Sequence, residues 1–331
     1  ITNELRTFKD DYFDFLNPAN NMRSNTTFNS NTTTLDDSDL SEYLTVTADS
    51  DAVQDNYTIS NIVLAEKAEA TSSSSVTGNV SGASLTAPIT IDSSNNQFYI
   101  NFNGNNETIT ISNGEYSSLE DYRSEIESQI NETFGAGKIN VQLTGGSSDQ
   151  LLFTSDSTDT FTLSEVSDND GLSVIGFSDA NLSNKIGLSS NLADITENFA
   201  TNLSVTGTDN DISFTINDQT FTFSSSITSL DDIIDEVNDS DADVTMRYDE
   251  LTDKFKIDSE DTGVAAGVEI ADVTGNLMDA LGLDGQDVNG SDATIEYDAG
   301  GDGVDVQTVT RSTNSFTING INIELEKNYT G

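Results

Sequence analysis

The sequence contains no cysteine, no histidine and no tryptophan, and only two prolines in 331 residues. Without Cys there are no disulfides and no thiolate chemistry. An extracellular chain of that kind fits bacteria that export proteins unfolded better than a eukaryotic secretory route. Without His, Ser–His–Asp and Cys–His catalysis are excluded, as are His-ligated zinc centres. Rossmann and P-loop glycine patterns are absent. Basic residues are scarce: 12 Lys and Arg stand against 58 Asp and Glu, a net charge of −46. Such a field repels phosphate, which excludes nucleic acids and anionic membrane surfaces as partners. Only 21% of residues are charged, so the imbalance comes from missing Lys and Arg rather than dense charge. It reads as a solubility device for a salty or exposed environment. The alternative is recruitment of a basic partner or of divalent cations. No run approaches the roughly 18 apolar residues of a membrane span. The start, Ile1-Thr2-Asn3-Glu4, has no initiator Met and no charged-then-apolar signal pattern, and the chain stops after Asn328-Tyr329-Thr330-Gly331. A fragment cut at both ends is expected.

What remains is a chain of small polar turns and alternating strands. Apolar residues make up 34% and aromatics 8%, too few for one large core but enough for several thin β-rich layers. Thr, Ile, Val, Phe and Tyr alternate with polar residues between Gly, Ser, Asn and Asp turns, the pattern of antiparallel strands with one wet face. An internal repeat organises them. One copy begins Phe98-Tyr99-Ile100-Asn101-Phe102-Asn103-Gly104 and continues into Thr108-Ile109-Thr110-Ile111. The other begins Ile212-Ser213-Phe214-Thr215-Ile216-Asn217-Asp218 and continues into Thr220-Phe221-Thr222-Phe223. Each reads as a two-residue hairpin, with Asn-Gly the favoured turn pair and Asn-Asp a weaker version. Ser118-Leu119-Glu120-Asp121 and Ser229-Leu230-Asp231-Asp232 follow as helix starts, with Ser capping and the acids complementing the helix dipole. Leu119, Tyr122, Ile126 and Ile130, and in the other copy Leu230, Ile233, Ile234 and Val237, predict one buried helix face each. Asn131 and Asn238 are expected to close these helices in a left-handed conformation. Strands follow at Ile139, Val141 and Leu143, and at Val244, Met246 and Tyr248. A polar turn leads to Leu152-Phe153 and to Phe255-Lys256-Ile257. Each copy ends on a Gly-Leu segment, Gly171-Leu172 to Phe177 and Gly275-Asn276-Leu277 to Leu283.

The fold class is therefore α+β and mainly antiparallel β. Two related sheet-plus-helix domains are expected, with a β-rich domain built from both chain ends. The expected boundaries are residues 1–70 plus 286–331 for the discontinuous domain, 75–190 for the domain of the first repeat and 191–285 for that of the second. A third hairpin, Phe316 to Ile323 with Asn319-Gly320 at its turn, belongs to the discontinuous domain, as do strands at Tyr43–Thr47 and Tyr57–Ile59. The Ser/Thr/Gly stretch 71–84 reads as a linker.

No catalytic, cofactor-binding or metal-ligating residue is expected, and no cofactor. Carboxylate pairs are abundant, and nothing singles one out for glycosidase-type chemistry. Gly300-Gly301-Asp302-Gly303-Val304-Asp305 matches part of a calcium-binding nonapeptide repeat. One copy without stacked neighbours, and with Gln307 at the apolar position, reads as a Gly/Asp hairpin loop. No complete EF-hand loop occurs. Sequons at Asn25, Asn56 and Asn131 are expected by chance in this composition. The cluster Phe8, Tyr12, Phe13 and Phe15 reads as an anchor on a core or as a partner surface.

The second hairpin-helix segment, from Phe214-Thr215-Ile216-Asn217 through Ser229–Ile234 to Leu281-Gly282-Leu283, resembles the module shared by flagellins, hook-associated proteins and cap proteins. Two further segments are similar to the cap proteins in particular. Thr310-Arg311-Ser312-Thr313-Asn314-Ser315-Phe316-Thr317-Ile318-Asn319-Gly320-Ile321 resembles the stretch where the cap chain leaves the head for the leg. Asp55-Asn56-Tyr57-Thr58-Ile59 to Leu64-Ala65 resembles the strand leading from leg to head. The likeness to the bacterial flagellar filament cap family (hook-associated protein 2) covers essentially the whole chain, strongest over 40–70 and 210–325. It implies a secreted, extracellular structural factor without enzymatic activity at the flagellum tip. Its partners would be flagellin, the filament end or hook-filament junction, and copies of itself in a small ring. It would retain exported flagellin and promote its folding and polymerisation. Host or surface glycans are a further class of partner, through adhesion. The long terminal helices of the family, which form a coiled coil in full-length proteins, are missing, so the oligomeric state of the fragment alone stays open. Variable head residues do not transfer, so interface residues stay unknown. The alternatives are a flagellin-like filament subunit and a surface adhesin module; Arg311 to Leu325, entering another hairpin rather than a helix, favours the cap.

Overall fold

The computed structural model describes residues 4–7, 9, 31–36, 38–144, 149–178, 182–206 and 211–330. The cluster Phe8, Tyr12, Phe13 and Phe15 and the sequon Asn25 lie outside the described residues. The chain divides into two compact units. The smaller holds residues 1–68, 259–267 and 289–331, and the larger holds 69–258 and 268–288. The architecture is mainly antiparallel β with few helices.

The three hairpins form at the turn pairs. Gln97–Phe102 pairs with Asn105–Thr110, Asp211–Ile216 with Gln219–Ser224, and Ser315–Ile318 with Ile321–Leu325, all antiparallel. Every turn residue has positive φ: Asn103 and Gly104 at 49° and 85°, Asn217 and Asp218 at 47° and 66°, Asn319 and Gly320 at 52° and 77°. Left-handed pairs of this kind match the right-handed twist of the strands they join. At Asn217 the side chain also donates to the Ala242 carbonyl (3.0 Å) and accepts the Glu269 N–H (2.9 Å), which fixes the less favourable Asn-Asp pair.

In the larger unit, helix α1 spans Leu119–Phe134 and helix α2 spans Leu230–Asn238. Ser118 accepts the Asp121 N–H (3.1 Å) at the start of α1. Ser229 and Asp232 form a reciprocal capping box on α2. Tyr122, Ile126 and Ile130 are buried on α1, and Leu230, Ile233 and Val237 on α2. Leu119 and Ile234 are only half-buried, at the edges of those stripes. Replacing Ser229 with Ala removes the bond from the Asp232 N–H to the Ser229 hydroxyl and leaves the Ser229 N–H on the Asp232 carboxylate. It should cost about 1 kcal/mol, read as a lower urea midpoint with an unchanged slope.

Asn238 is the last residue of α2, as expected, whereas Asn131 lies inside α1, and the expected left-handed conformation occurs at neither. Neither has a positive φ. The helix α1 runs on to Phe134, and Gly135, at φ 99°, turns the chain. The Asn side chains act instead as backbone clips. Asn131 accepts the Gly137 N–H (3.2 Å), and Asn238 both donates to the Met246 carbonyl (3.0 Å) and accepts its N–H (2.6 Å). The last ties α2 to the strand Val244–Asp249.

The first copy packs the sheet Phe161–Glu165, Gln97–Phe102, Asn105–Thr110 and the sheet Val80–Ser81, Gln150–Ser155, Ile139–Thr144 around α1. Phe98, Ile100, Phe153 and Phe161 fill that core with the α1 stripe. The second copy has the sheet Gln219–Ser224, Asp211–Ile216, Gly267–Thr274, Asp287–Asn289 and a sheet with the strand order Val244–Asp249, Lys254–Thr262, Lys67–Thr71. Phe214 stacks on Phe221 and Phe223, with ring centroids 5.3 and 5.9 Å apart. Both copies close on a single helical turn, Gly171–Val174 and Leu277–Ala280.

The stretch 71–84 is not a free linker. Ser72, Val76 and Val80 are buried. Ser72 Oγ donates to the Leu281 carbonyl (2.6 Å) and accepts the Phe255 N–H (2.9 Å). Thr77 binds the buried Asp253 carboxylate through its N–H (3.0 Å) and hydroxyl (2.7 Å). At Gly82 a Cβ would stand 2.9 Å from the Ile175 carbonyl oxygen. The small residues serve close packing here, a use that composition alone does not separate from looseness.

The smaller unit holds two three-stranded sheets. Leu44–Ala48 pairs with Ile321–Leu325, which also pairs with Ser315–Ile318. Tyr57–Val63 pairs with Ala293–Ala299, which pairs on its other side with Gln307–Arg311. Leu44, Ile62, Ile295, Tyr297, Ile323 and Leu325 are buried between them.

Candidate functional site

One concavity of the smaller unit arises from strand register. Thr58 stands opposite Asp298, and Ser60 opposite Glu296. Because side chains alternate, these four lie on one face, while Ile59 and Tyr297 turn to the core. The connection from Ala299 to Gln307 curls back over that face. Gly300, Gly301 and Gly303, at φ 106°, 64° and 75°, permit the curl. The resulting cavity is about 340 Å³, and its walls include Thr58, Ser60, Glu296, Asp298, Asp302 and Val306. The hairpin-loop reading of Gly300–Asp305 agrees with this position.

Its chemistry is acidic and oxygen-rich. Asp298 is only 3% exposed. Its Oδ2 accepts the Gly303 N–H (2.7 Å), and its Oδ1 is buried without a hydrogen-bond partner. Glu296 Oε2 accepts Asn61 Nδ2 (2.6 Å) and the Ser60 hydroxyl (3.3 Å). Asp302 Oδ1 accepts the Val304 N–H (3.0 Å). None of the lining residues is Lys or Arg. Among the described residues no group of three acidic side chains is placed to hold a metal ion.

A second acidic group lies in the larger unit. Asp272 accepts the Met278 and Asp279 N–H groups, each at 2.9 Å, and its own N–H donates to Asp284 (2.8 Å). Burial pushes its pKa above the ordinary aspartate value, and the neighbouring Asp284 and Asp279 add to the rise. Folding therefore strengthens its hold on a proton. The group opposes folding at neutral pH, and that cost falls as pH drops through the raised pKa. Asp284→Asn keeps the acceptor and removes one like charge. It should gain about 0.5 kcal/mol at neutral pH and less in acid, measured by thermal melts across pH.

Other carboxylates have structural work. Arg123 joins Glu120 (2.8 Å) and Glu127 (2.5 Å) and donates to the Val141 carbonyl (3.0 Å). Of the sequons, Asn131 is engaged with Gly137, and the Asn56 carbonyl accepts the Gly300 N–H (2.8 Å). Sequence reasoning passed over Thr58, Ser60, Glu296 and Asp298 because no local motif marks them. Only the pairing of strands some 240 residues apart brings them together. Among the described residues no helix is long and apolar enough to cross a membrane.

No protein-family model and no curated protein matches the chain. Solved structures do. The flagellar cap protein FliD D2-D3 domains from Serratia marcescens, in one crystal form, are 14% identical, with 87% of this chain and 95% of that chain covered and a TM-score of 0.37. The D2-D3 domains of the flagellar cap protein FliD from Escherichia coli are 13% identical, covering 87% and 90%, with a TM-score of 0.36. The flagellar cap protein FliD from Bdellovibrio bacteriovorus is 11% identical, covering 88% and 93%, with a TM-score of 0.23. Identities of this size assign no residue of this chain a role, and across nearly its whole length the chain is similar to flagellar cap structures.

Proposed function

We infer that this chain is the central part of a flagellar filament cap, a secreted structural factor at the distal tip. The observation that carries the reading is the ordered set of three left-handed-turn hairpins. Two of them each lead into a Ser-capped helix and a closing Gly-Leu turn, and the third follows the head-to-leg segment Thr310–Ile321. That order is the one in which the sequence resembles the cap family. In this reading residues 1–70 and 286–331 are the leg, 75–190 the outer head and 191–285 the inner head. The mechanism is steric: heads form a plate, legs rest on the filament end, and flagellin emerging below is held there until it folds into the lattice. In this reading copies of the protein also associate into a small ring.

Immunogold labelling of flagella from the source organism, with antibody raised against this chain, tests the placement. Label confined to distal ends supports the cap. Label along the whole filament supports a flagellin-like subunit instead. Label on the cell body with bare filaments supports a surface adhesin.

A further inference from the structure

We propose that Asn113-Gly114 is a site of spontaneous deamidation, where the Asn113 side-chain amide is lost through a succinimide and Asn96 is the donor that activates it. An asparagine followed by glycine is the pair most prone to this reaction, because no Cβ screens the glycine nitrogen. The sequence has four such pairs, at Asn103, Asn113, Asn289 and Asn319. The fold holds three of them. Asn103 accepts the Thr160 N–H (2.8 Å) and donates to Asp159 (2.8 Å), and the Gly104 N–H is taken by Asn101 (3.0 Å). The Gly290 N–H donates to the Ala266 carbonyl (2.8 Å), and a Cβ there would stand 2.4 Å from the Glu66 carbonyl oxygen, so that backbone has no room to turn. Asn319 donates to the Tyr297 hydroxyl (3.2 Å), its carbonyl accepts the Val53 N–H (3.2 Å), and the Gly320 carbonyl accepts the Asp49 N–H (2.8 Å).

Asn113 is held differently. Asn113 and Gly114 are both exposed, and a Cβ on Gly114 would meet nothing within 4 Å. Gly114 is the end rung of the short pairing between Ile89–Ile91 and Gly114–Tyr116, and terminal rungs open most readily. The Asn113 side chain is bonded at its acyl oxygen, where Asn96 Nδ2 donates to Asn113 Oδ1 (3.1 Å). The buried Asn169 donates to Asn96 Oδ1 (3.2 Å), which fixes the Asn96 amide with its N–H groups toward Asn113. That donor faces the oxygen on which negative charge develops as the glycine nitrogen attacks. Hydroxide takes the Gly114 N–H proton, and the nitrogen bonds to Asn113 Cγ. The Cγ–Nδ2 bond breaks, and Nδ2 leaves as ammonia with a proton from water. Water then opens the ring. Cleavage at the side-chain carbonyl leaves an aspartate; cleavage at the backbone carbonyl leaves an isoaspartate, whose main chain is longer by a methylene. Either product adds a carboxylate beside Glu115.

The test is peptide mapping by mass spectrometry, with isoaspartate detection, after the whole chain is incubated in mildly alkaline buffer, folded and in urea. In urea all the Asn-Gly pairs are expected to react at comparable rates. In the folded chain Asn113 should react about tenfold or more faster than each of the others, since every hydrogen bond that must open first slows a site by its net strength. Asn96→Asp keeps the acceptor for Asn169 and removes the donor to Asn113. It should slow Asn113 about threefold or more in the folded chain and leave its rate in urea unchanged. Gly114→Ala places a Cβ in open space and should suppress the reaction without loss of stability. Asn113 that stays intact in the folded chain while it reacts in urea, or another pair that keeps pace with it in the folded chain, overturns the proposal. An unchanged or faster Asn113 in Asn96→Asp, with the circular dichroism of the native chain, overturns the role of Asn96.

Discussion

Replacing Gly171 with Ala should destabilise the larger unit by about 3 kcal/mol or more. A Cβ at this position would lie 2.2 Å from the Gln97 carbonyl oxygen and 2.6 Å from both its carbonyl carbon and its nitrogen. All three are backbone atoms of a central strand, so no side chain can swing aside. Retreat of the Gly171 segment is blocked as well. The buried Asn169 accepts the Gly171 N–H (3.0 Å) and the Gln97 N–H (2.8 Å) with one oxygen, clamping the two segments together. The new methyl must either push the strand from the core of Phe98 and Ile100 or break that clamp. Gly114 is the control. A Cβ there meets nothing within 4 Å, and Gly114→Ala should leave stability nearly unchanged. Urea unfolding followed by circular dichroism compares them; equal midpoints for the two variants would refute the packing account.

The second large effect is salt. A net charge of −46 on 331 residues repels itself, and the compact state suffers most from that repulsion. The described ion pairs are few and mainly surface-lying, such as Lys327–Glu42 at 3.4 Å. Raising ionic strength from about 0.01 M to about 1 M shortens the screening length from roughly 30 Å to roughly 3 Å. Stability should rise by on the order of 5 kcal/mol, a melting temperature higher by about 10 °C or more. NaCl and KCl should act alike, and sucrose at matched osmolality should do far less. A melting temperature that does not move with salt would show that the acidity is already compensated within the fold. Lowering the pH toward the sequence isoelectric point of about 4.1 acts in the same direction by discharging carboxylates.

How far the sequence announces the structure depends on whether the signal is local. Asn103-Gly104, Asn319-Gly320 and even Asn217-Asp218 declare their hairpins, because few residues tolerate two successive positive φ angles. Ser118 and Ser229 declare the helix starts, since each has an acidic residue three places on and an apolar stripe behind it. Residues 71–84 mislead because Ser, Thr and Gly are chosen both for loose chain and for tight approach. Ser72 between Phe255 and Leu281 is the second case. Asn131 and Asn238 mislead for a related reason: an Asn near a helix end can turn the chain or hold it with its side chain, and here it holds.

The acidic cavity was out of reach for a different reason. Its floor comes from Thr58 and Ser60 on one strand and Glu296 and Asp298 on another. No spacing in the chain links them. The Gly300–Asp305 loop, read by itself, is only a turn; its position over the buried Asp298 carboxylate, which accepts the Gly303 N–H, is a tertiary fact. Backbone pattern thus reveals the scaffold, while the site depends on register between distant strands.

The cap reading is tested most directly by flagellin itself. The full-length gene containing this chain would be expressed in a cap-null strain of the source organism or a close relative, with filaments imaged and free flagellin in the medium measured. The account predicts restored filaments and a fall in secreted monomer. Flagellin that continues to leak into the medium at the level of the cap-null strain, with the protein expressed and exported, would contradict it.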